Sequence, residues 1–379
     1  MTCFALYRLP YEHQVTLVGQ SDGQPACLQS YDSLGNERGF VIAPFQMRKG
    51  CEALSLQTLS ACPSVLPMVL IRPDIVETFS EPQQATEFLS SHFSVPNGYT
   101  SGGAALSSND ARSSYSRDFS RFHSMLKEGR FSKIVLSRCT TVPITCYSSS
   151  ITHALDLFTK TCNSYPRVFV SLAFSPQSGM WLTATPEVLL ESTAQNCWHT
   201  VALAGTMRLS EIGPEPWDVD GRVSSLWSEK NIEEQRYVAS YIAGCLSRFS
   251  HDVKEDGPHT IRAAHLVHLR SDFTFSLSDS SMVGPLLGDL HPTPAVCGIP
   301  KDETCRFIME NESSPRLYYS GFMGPLQSPG THLYVSLRCM QITTEGYRLY
   351  AGGGLLKEST EEQEWQETEA KMETMLTLL

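Results

Sequence analysis

The segment YRLYAGGGLLKESTEEQEWQETEAKMETML, residues 347–376, sets the reading of the whole chain. An aromatic-rich run, strand-like in character, ends in Gly352, Gly353 and Gly354 and then passes into a helix crowded with carboxylates. Glycine serves where backbone must approach a ligand or take positive φ. Backbone N–H groups in such a place hold anions. Yet Glu361, Glu362, Glu364, Glu367 and Glu369 follow at once and would repel an anion. The conflict dissolves if a cation stands between them. Mg²⁺ suits, because it binds through one or two carboxylates and through its substrate. Ser359 is placed as the N-cap of this helix, with Glu362 three residues on to complete a capping box. Glu364, Glu367 and Lys371 fall three and four residues apart and share one face. The plain alternative is a solvated face with a Glu–Lys pair.

Working outward, other runs have the same strand character: KIVLSRCTTVP, RVFVSLAFS, GMWLTATPEVLLES, RLYYSGFMGPL and LYVSLRCMQI. They are rich in β-branched and aromatic residues and are bounded by Gly, Pro, Ser or Asn. Helices sit between them. From Asn231 to Phe249, apolar residues recur at Val238, Ile242, Cys245 and Phe249, the rhythm of a helix face. Strand clusters with interspersed helices predict an α+β fold whose large sheets are mostly antiparallel, packed with helices around one core. Regular βαβ alternation is missing, which weakens a dinucleotide-binding reading. No P-loop lysine precedes the glycines. Residues 97–116, rich in Gly, Ser and Asn, read as a loop or linker. It divides residues 1–115, with strand-like runs such as PMVLIRP, from a second part over 116–379, which holds most of the strand-like runs. No internal repeat is visible.

Composition narrows the function. The chain has 29 Lys and Arg against 40 Asp and Glu, a net charge of −11, which argues against nucleic acid as partner. No run approaches the roughly 20 apolar residues of a membrane span. MTCFALYRLPYEHQ does not read as a signal peptide. Twelve scattered cysteines without CxxC spacing suggest neither zinc nor a disulfide framework. Reduced thiols in a cytoplasm are the simpler expectation.

Eight segments together resemble the chorismate-utilising enzymes: isochorismate, salicylate, anthranilate and aminodeoxychorismate synthases. They are FSKIVLSR (131–138), TATPEVLL (183–190), ALAGT (202–206), EKNIEEQ (229–235), LHPTPAVCGIPK (290–301), RLYYSGFMG (316–324), YVSLRC (334–339) and AGGGLLKEST…EWQETEAK (351–371). Within that family, LHPTPAVCG is similar to the isochorismate synthases, and Ala204 stands where aminodeoxychorismate synthases tend to place a lysine nucleophile. The resemblance implies the fold of anthranilate and aminodeoxychorismate synthases, with the N-terminal residues part of it. It implies Mg²⁺-dependent, reversible conversion of chorismate to isochorismate, feeding menaquinone or siderophore assembly. A salicylate synthase and a non-catalytic chorismate-binding paralogue are the other readings. The resemblance also implies a cytoplasmic monomer without a glutaminase subunit.

The same resemblance distributes roles. Lys133 is the base that activates water; a lysine works so near neutrality only if desolvation or a nearby cation favours its amine. Glu187 is the acid that protonates the departing hydroxyl, its acidity weakened by burial. Glu234 and Glu367 are direct Mg²⁺ ligands, and Glu364 is a ligand through water. Glu234 lies on the core-facing stripe of its helix, where a bare carboxylate is costly. Arg338, read inside a strand, takes the enolpyruvyl carboxylate with help from Tyr319. Gly352 and Gly354 offer amides to a carboxylate, Lys371 adds positive charge, and Gly205, followed by Thr206, lets backbone approach the ring hydroxyl. His291 either contacts the ring or satisfies a buried loop. Gln235, where many relatives have His, and Gly353, where many have Ala, depart from the pattern.

Overall fold

The computed structural model describes residues 1–46, 66–93, 108–144, 151–194, 196–212, 227–263, 266–327 and 330–379. Among these, the strands form two nine-stranded sheets. In the first, Gly298–Ile299, Lys133–Pro143, Gly346–Leu355, Cys339–Ile342, Gly179–Thr185, Phe169–Ser175, Cys3–Arg8, Val15–Gln20 and Ile75–Phe79 lie side by side. In the second the order is Lys254–Ala263, Leu266–Ser276, Cys197–Arg208, Val188–Ala194, His332–Val335, Phe322–Leu326, Gly39–Ala43, Met68–Ile71 and Ala26–Leu28. Every pairing among the described residues is antiparallel. Strands from the first 80 residues lie inside both sheets.

Successive strand residues point to opposite faces, and here both faces are covered. Ala5 and Tyr7 meet Phe40, Ile42, Val201 and Leu203 in a core between the sheets. Their neighbours Phe4 and Leu6 face outward onto the helices Pro82–His92, Ile151–Ser164 and Glu361–Leu376. On the other sheet, Val41, Ala43, Ala202 and Ala204 face outward onto Glu229–Leu246 and Val283–Leu290. The result is helix, sheet, sheet, helix in layers. Double burial explains why the strands read as continuous apolar runs rather than clean alternation.

Three local expectations change. Ser108–Lys127 is one helix, so the last part of the expected loop is helical. Tyr115, Phe119, Phe122 and Leu126, three or four apart, bury against Ile134 and Leu136; serine-rich composition masked that face. Residues 94–107 lie outside the described residues. The three glycines do not form a loop after a strand; they are part of Gly346–Leu355, in register with Ser137, Leu136 and Val135. Finally, Thr360 precedes the C-terminal helix without capping it through its side chain. Ser359 instead bonds the Leu356 amide and Glu364, while Glu362 reaches Arg112, so the capping box does not form. The Glu229–Leu246 helix does have a side-chain cap, Ser228. No helix among the described residues is long and apolar enough to cross a membrane, and the cysteines among them are free thiols.

Candidate active site

Two runs expected to be single strands are each broken where the chain changes sheet. Gly179–Thr185 lies in the first sheet and Val188–Ala194 in the second, so Pro186 and Glu187 form the crossover. His332–Val335 lies in the second and Cys339–Ile342 in the first, so Arg338 ends the return crossover. Arg338 is therefore not inside a strand. Its φ of 46° is left-handed, a conformation that costs a side-chain-bearing residue about 1–2 kcal/mol and is typical of functional sites. The crossovers run together: the Val335 amide donates to the Glu187 carbonyl at 2.9 Å, and the Ala184 amide to the Arg338 carbonyl at 3.0 Å. Corners of this kind leave a gap between sheets, and a cleft of about 630 Å³ opens there.

Glu187, Gly205, Thr206, Tyr319, Arg338, Gly352, Gly354 and Lys371 all line that cleft, as does Glu234. Glu187 is 3% exposed. Burial pushes its carboxyl up to about 8 against the pull of Lys133, Lys371 and Arg338, so it carries a proton at neutral pH. Burial lowers Arg338 to about 10, which leaves it a cation. Gly205 has a φ of 69° at a register shift in its strand, with Asn231 packed close against it; this bulge turns the backbone toward the cleft. Lys371 donates to the Gly352 carbonyl at 2.8 Å. N–H and C=O of one strand residue point the same way, so the Gly352 amide also faces away from the Lys133–Pro143 strand, and so does that of Gly354. The strand on that side stops pairing at Leu349, which leaves both amides turned to the cleft.

A side chain on Gly354 would lie 2.1 Å from Glu234 and 2.9 Å from the Lys133 stem. The bare backbone lets those two meet behind it. Lys133 opens its strand fully buried, with Nζ 2.9 Å from Glu234 Oε1, and makes no further hydrogen bond among the described residues. Although burial opposes it, the ammonium groups of Lys133 and Lys230 hold Glu234 below the usual carboxylate range.

His291 is not brought to the cleft. It is 2% exposed, its Nε2 is 3.2 Å from the Phe45 carbonyl, and burial lowers it to about 3, a neutral imidazole. Gln235 holds the Ala202 carbonyl at 3.0 Å and ties its helix to the Cys197–Arg208 strand. Two residues were missed by sequence reasoning. His268 lines the cleft; its Nδ1 is 2.9 Å from the Gly205 carbonyl and its Nε2 is 3.0 Å from the Arg338 guanidinium. A carbonyl only accepts and a guanidinium only donates, so His268 is neutral with its proton on Nδ1, and it orients Arg338. The available signal was a histidine among the apolar residues that open the strand LVHLRSDFTFS. The second is Lys230, which sits within EKNIEEQ and pairs with Glu364 at 2.5 Å.

As placed, no three acidic, His or Cys side chains among the described residues converge on one ion. The donors nevertheless ask for one. Glu364 Oε2 is buried with no partner. Burial, then the adjacent Glu367 carboxylate, push Glu364 up to about 7 despite Lys230 and Ser359. Glu364 and Glu367 both approach the face of Gly353 that lacks a side chain, so the glycine leaves them room. Two neighbouring carboxylates fit a hard divalent ion that keeps positions for substrate and water.

The chain is similar to known proteins in sequence and in fold. The chain is 28% identical over 276 residues to the vibriobactin-specific isochorismate synthase of Vibrio cholerae, covering 72% of this chain and 68% of that protein. It is 32% identical over 259 residues to isochorismate synthase DhbC of Bacillus subtilis, covering 66% and 64%. The structure of MenF, the menaquinone-specific isochorismate synthase from Escherichia coli, superposes with a TM-score of 0.72 over 100% of this chain and 88% of that one, at 22% identity; that likeness establishes the fold. The family described as chorismate binding enzyme matches residues 69–379. A match of that extent, over the strands and helices that build the cleft, makes this chain a member of the chorismate binding enzyme family.

Proposed function

We propose that the chain is an isochorismate synthase, interconverting chorismate and isochorismate. The observation that carries this is a buried carboxyl, Glu187, raised by burial to about 8, in a cleft whose wall at Gly354 stands directly against a buried lysine, Lys133. Water adds at ring carbon 2 as Lys133 takes its proton. The double bonds shift, and the hydroxyl at carbon 4 leaves as water once Glu187 gives it a proton. One proton is taken and one given, so the reaction balances, and the reverse direction exchanges the two roles. Arg338, oriented by His268 and helped by Tyr319, holds the enolpyruvyl carboxylate. The Gly352 and Gly354 amides and Lys371 serve the second carboxylate, and the Gly205–Thr206 bulge faces the ring hydroxyl. Mg²⁺ held by Glu367, Glu234 and Glu364 would neutralise the ring carboxylate and the acidic cluster together. Water as nucleophile requires no glutaminase partner, which suits a monomer in the cytoplasm. We place the product at the head of menaquinone assembly, the less specialised use, with siderophore assembly as the other destination.

The test is to incubate the pure protein with chorismate and Mg²⁺, without ammonia, and to separate the products. Isochorismate in equilibrium with chorismate is expected. Salicylate with pyruvate would move the chain to the lyase branch, and unchanged chorismate would leave a binding protein.

A further inference from the structure

Three glutamates, Glu234 in the cleft and Glu364 and Glu367 against Gly353, are each held by a lysine. Lys133 takes Glu234 at 2.9 Å, Lys371 takes Glu367 at 2.6 Å, and Lys230 takes Glu364 at 2.5 Å. The three lysines are not equivalent. The Lys133 side chain has no exposed surface. Lys371 is anchored a second time, on the Gly352 carbonyl. Lys230 keeps about a quarter of its side chain exposed, and its hydrogen bond among the described residues runs to Glu364 alone. It also borders a second, open cleft lined by Arg208, Gln363, Gln366 and Glu367. A lysine stem rotates freely when its head is released to solvent, so of the three ammonium groups Lys230 has somewhere to go.

Its partner has the opposite character. Glu364 is 1% exposed, its Oε1 accepts from Lys230 and Ser359, and its Oε2 is buried without a partner. Once ionised, a buried carboxylate beside another carboxylate needs a positive charge next to it. An ion ligated by Glu364 and the Lys230 ammonium therefore compete for one carboxylate.

We infer that Lys230 is an internal counter-cation that competes with the divalent ion for Glu364 and withdraws into the open cleft when the ion binds. This rests on the proposed magnesium site, and it adds a consequence: the lysine sets how much ion the chain needs before substrate arrives. By mass action, breaking the Lys230–Glu364 pair subtracts from ion affinity.

The experiment titrates Mg²⁺ alone into the full-length protein at pH 8.5, without chorismate, by calorimetry. Lys230→Met keeps the stem and removes the charge. It is expected to bind Mg²⁺ about fivefold more tightly than wild type, the order expected when a part-exposed ion pair no longer has to be broken. Lys230→Arg, which keeps the charge, is expected to match wild type within about twofold on the same grounds. Equal or weaker binding by Lys230→Met would overturn the inference while leaving the magnesium site intact. No binding by any of the three proteins would overturn the site and the inference together. Thermal melting supplies an independent reading. Lys230→Met should melt below wild type in EDTA, and saturating Mg²⁺ should close the gap; a gap that persists would make Lys230 a structural pair only and sink the idea.

Discussion

Glu187 is shaped by its neighbours more than by its own chemistry. Burial raises it to about 8 although three cations face it. The sign follows. As an acid it must be protonated, so kcat/KM should fall as pH rises through about 8, and a pH profile flat to pH 9.5 would remove it from that role. Stability follows the same direction. With a folded value above the ordinary one, the protonated fold is fully favoured at low pH, and stability is lost as pH rises toward 8. Glu187→Gln cannot ionise, so its melting temperature should gain on that of wild type as pH rises from 4.5 to about 8, while turnover is lost. Lys133→Ala removes the base and leaves Arg338 and the glycine amides in place. It should lower kcat by about 10²–10⁴-fold with chorismate binding retained by calorimetry; a variant with wild-type turnover would assign the base elsewhere.

At the scale of elements, the site depends on two features that are uncommon in regular structure: a strand stripped of side chains and a pair of strands that change sheet together. Gly354 shows what the first is for. A methyl group there would stand 2.1 Å from Glu234 Oε1 and 2.9 Å from Lys133 Cε. Both are ends of side chains, which move more easily than backbone, so Gly354→Ala should fold and melt within a few degrees of wild type. The displaced Lys133–Glu234 pair should nonetheless cost about 100-fold in kcat/KM, the order set by a misplacement of about 1 Å. Measuring melting and kinetics on the same preparation separates the two effects, and unchanged kinetics would mean that the bare strand serves packing alone. The crossovers explain what sequence reading could not reach. TATPEVLL and YVSLRC carry the right residues, but period-2 alternation continues through Pro186 and Arg338 and gives no sign that the strands part. Only the left-handed φ of Arg338 marks the corner, and backbone angles are not written in composition.

For the whole molecule, the layered α+β class was legible because strand-like runs and one clear helical rhythm alternate along the chain. The pairing was not, since it joins segments far apart in sequence. The cleft residues were legible through eight short segments, whereas His268 and Lys230 were not. His268 acts through Arg338 and Gly205, which the fold brings to it from a crossover and from another strand, and Lys230 is paired with a glutamate 134 residues away. The same long-range pairing bears on the N-terminal part. Cys3–Arg8 lies between Val15–Gln20 and Phe169–Ser175, and Gly39–Ala43 between Met68–Ile71 and Phe322–Leu326. These are interior strands, not an appended domain. Removing residues 1–115 would uncover Phe169, Ala173 and Met323 in the core between the sheets. It would also leave two unpaired sheet edges, which promote aggregation. Each large apolar side chain so exposed forfeits roughly 1.5–3 kcal/mol, so a few are enough to exhaust the 5–15 kcal/mol typical of a folded domain. The fragment 116–379 alone should therefore be insoluble or lack a cooperative melt, while the full chain melts in one transition. A soluble fragment with its own sharp transition and chorismate turnover would instead establish residues 116–379 as an independent catalytic domain and make the three N-terminal strands of each sheet dispensable.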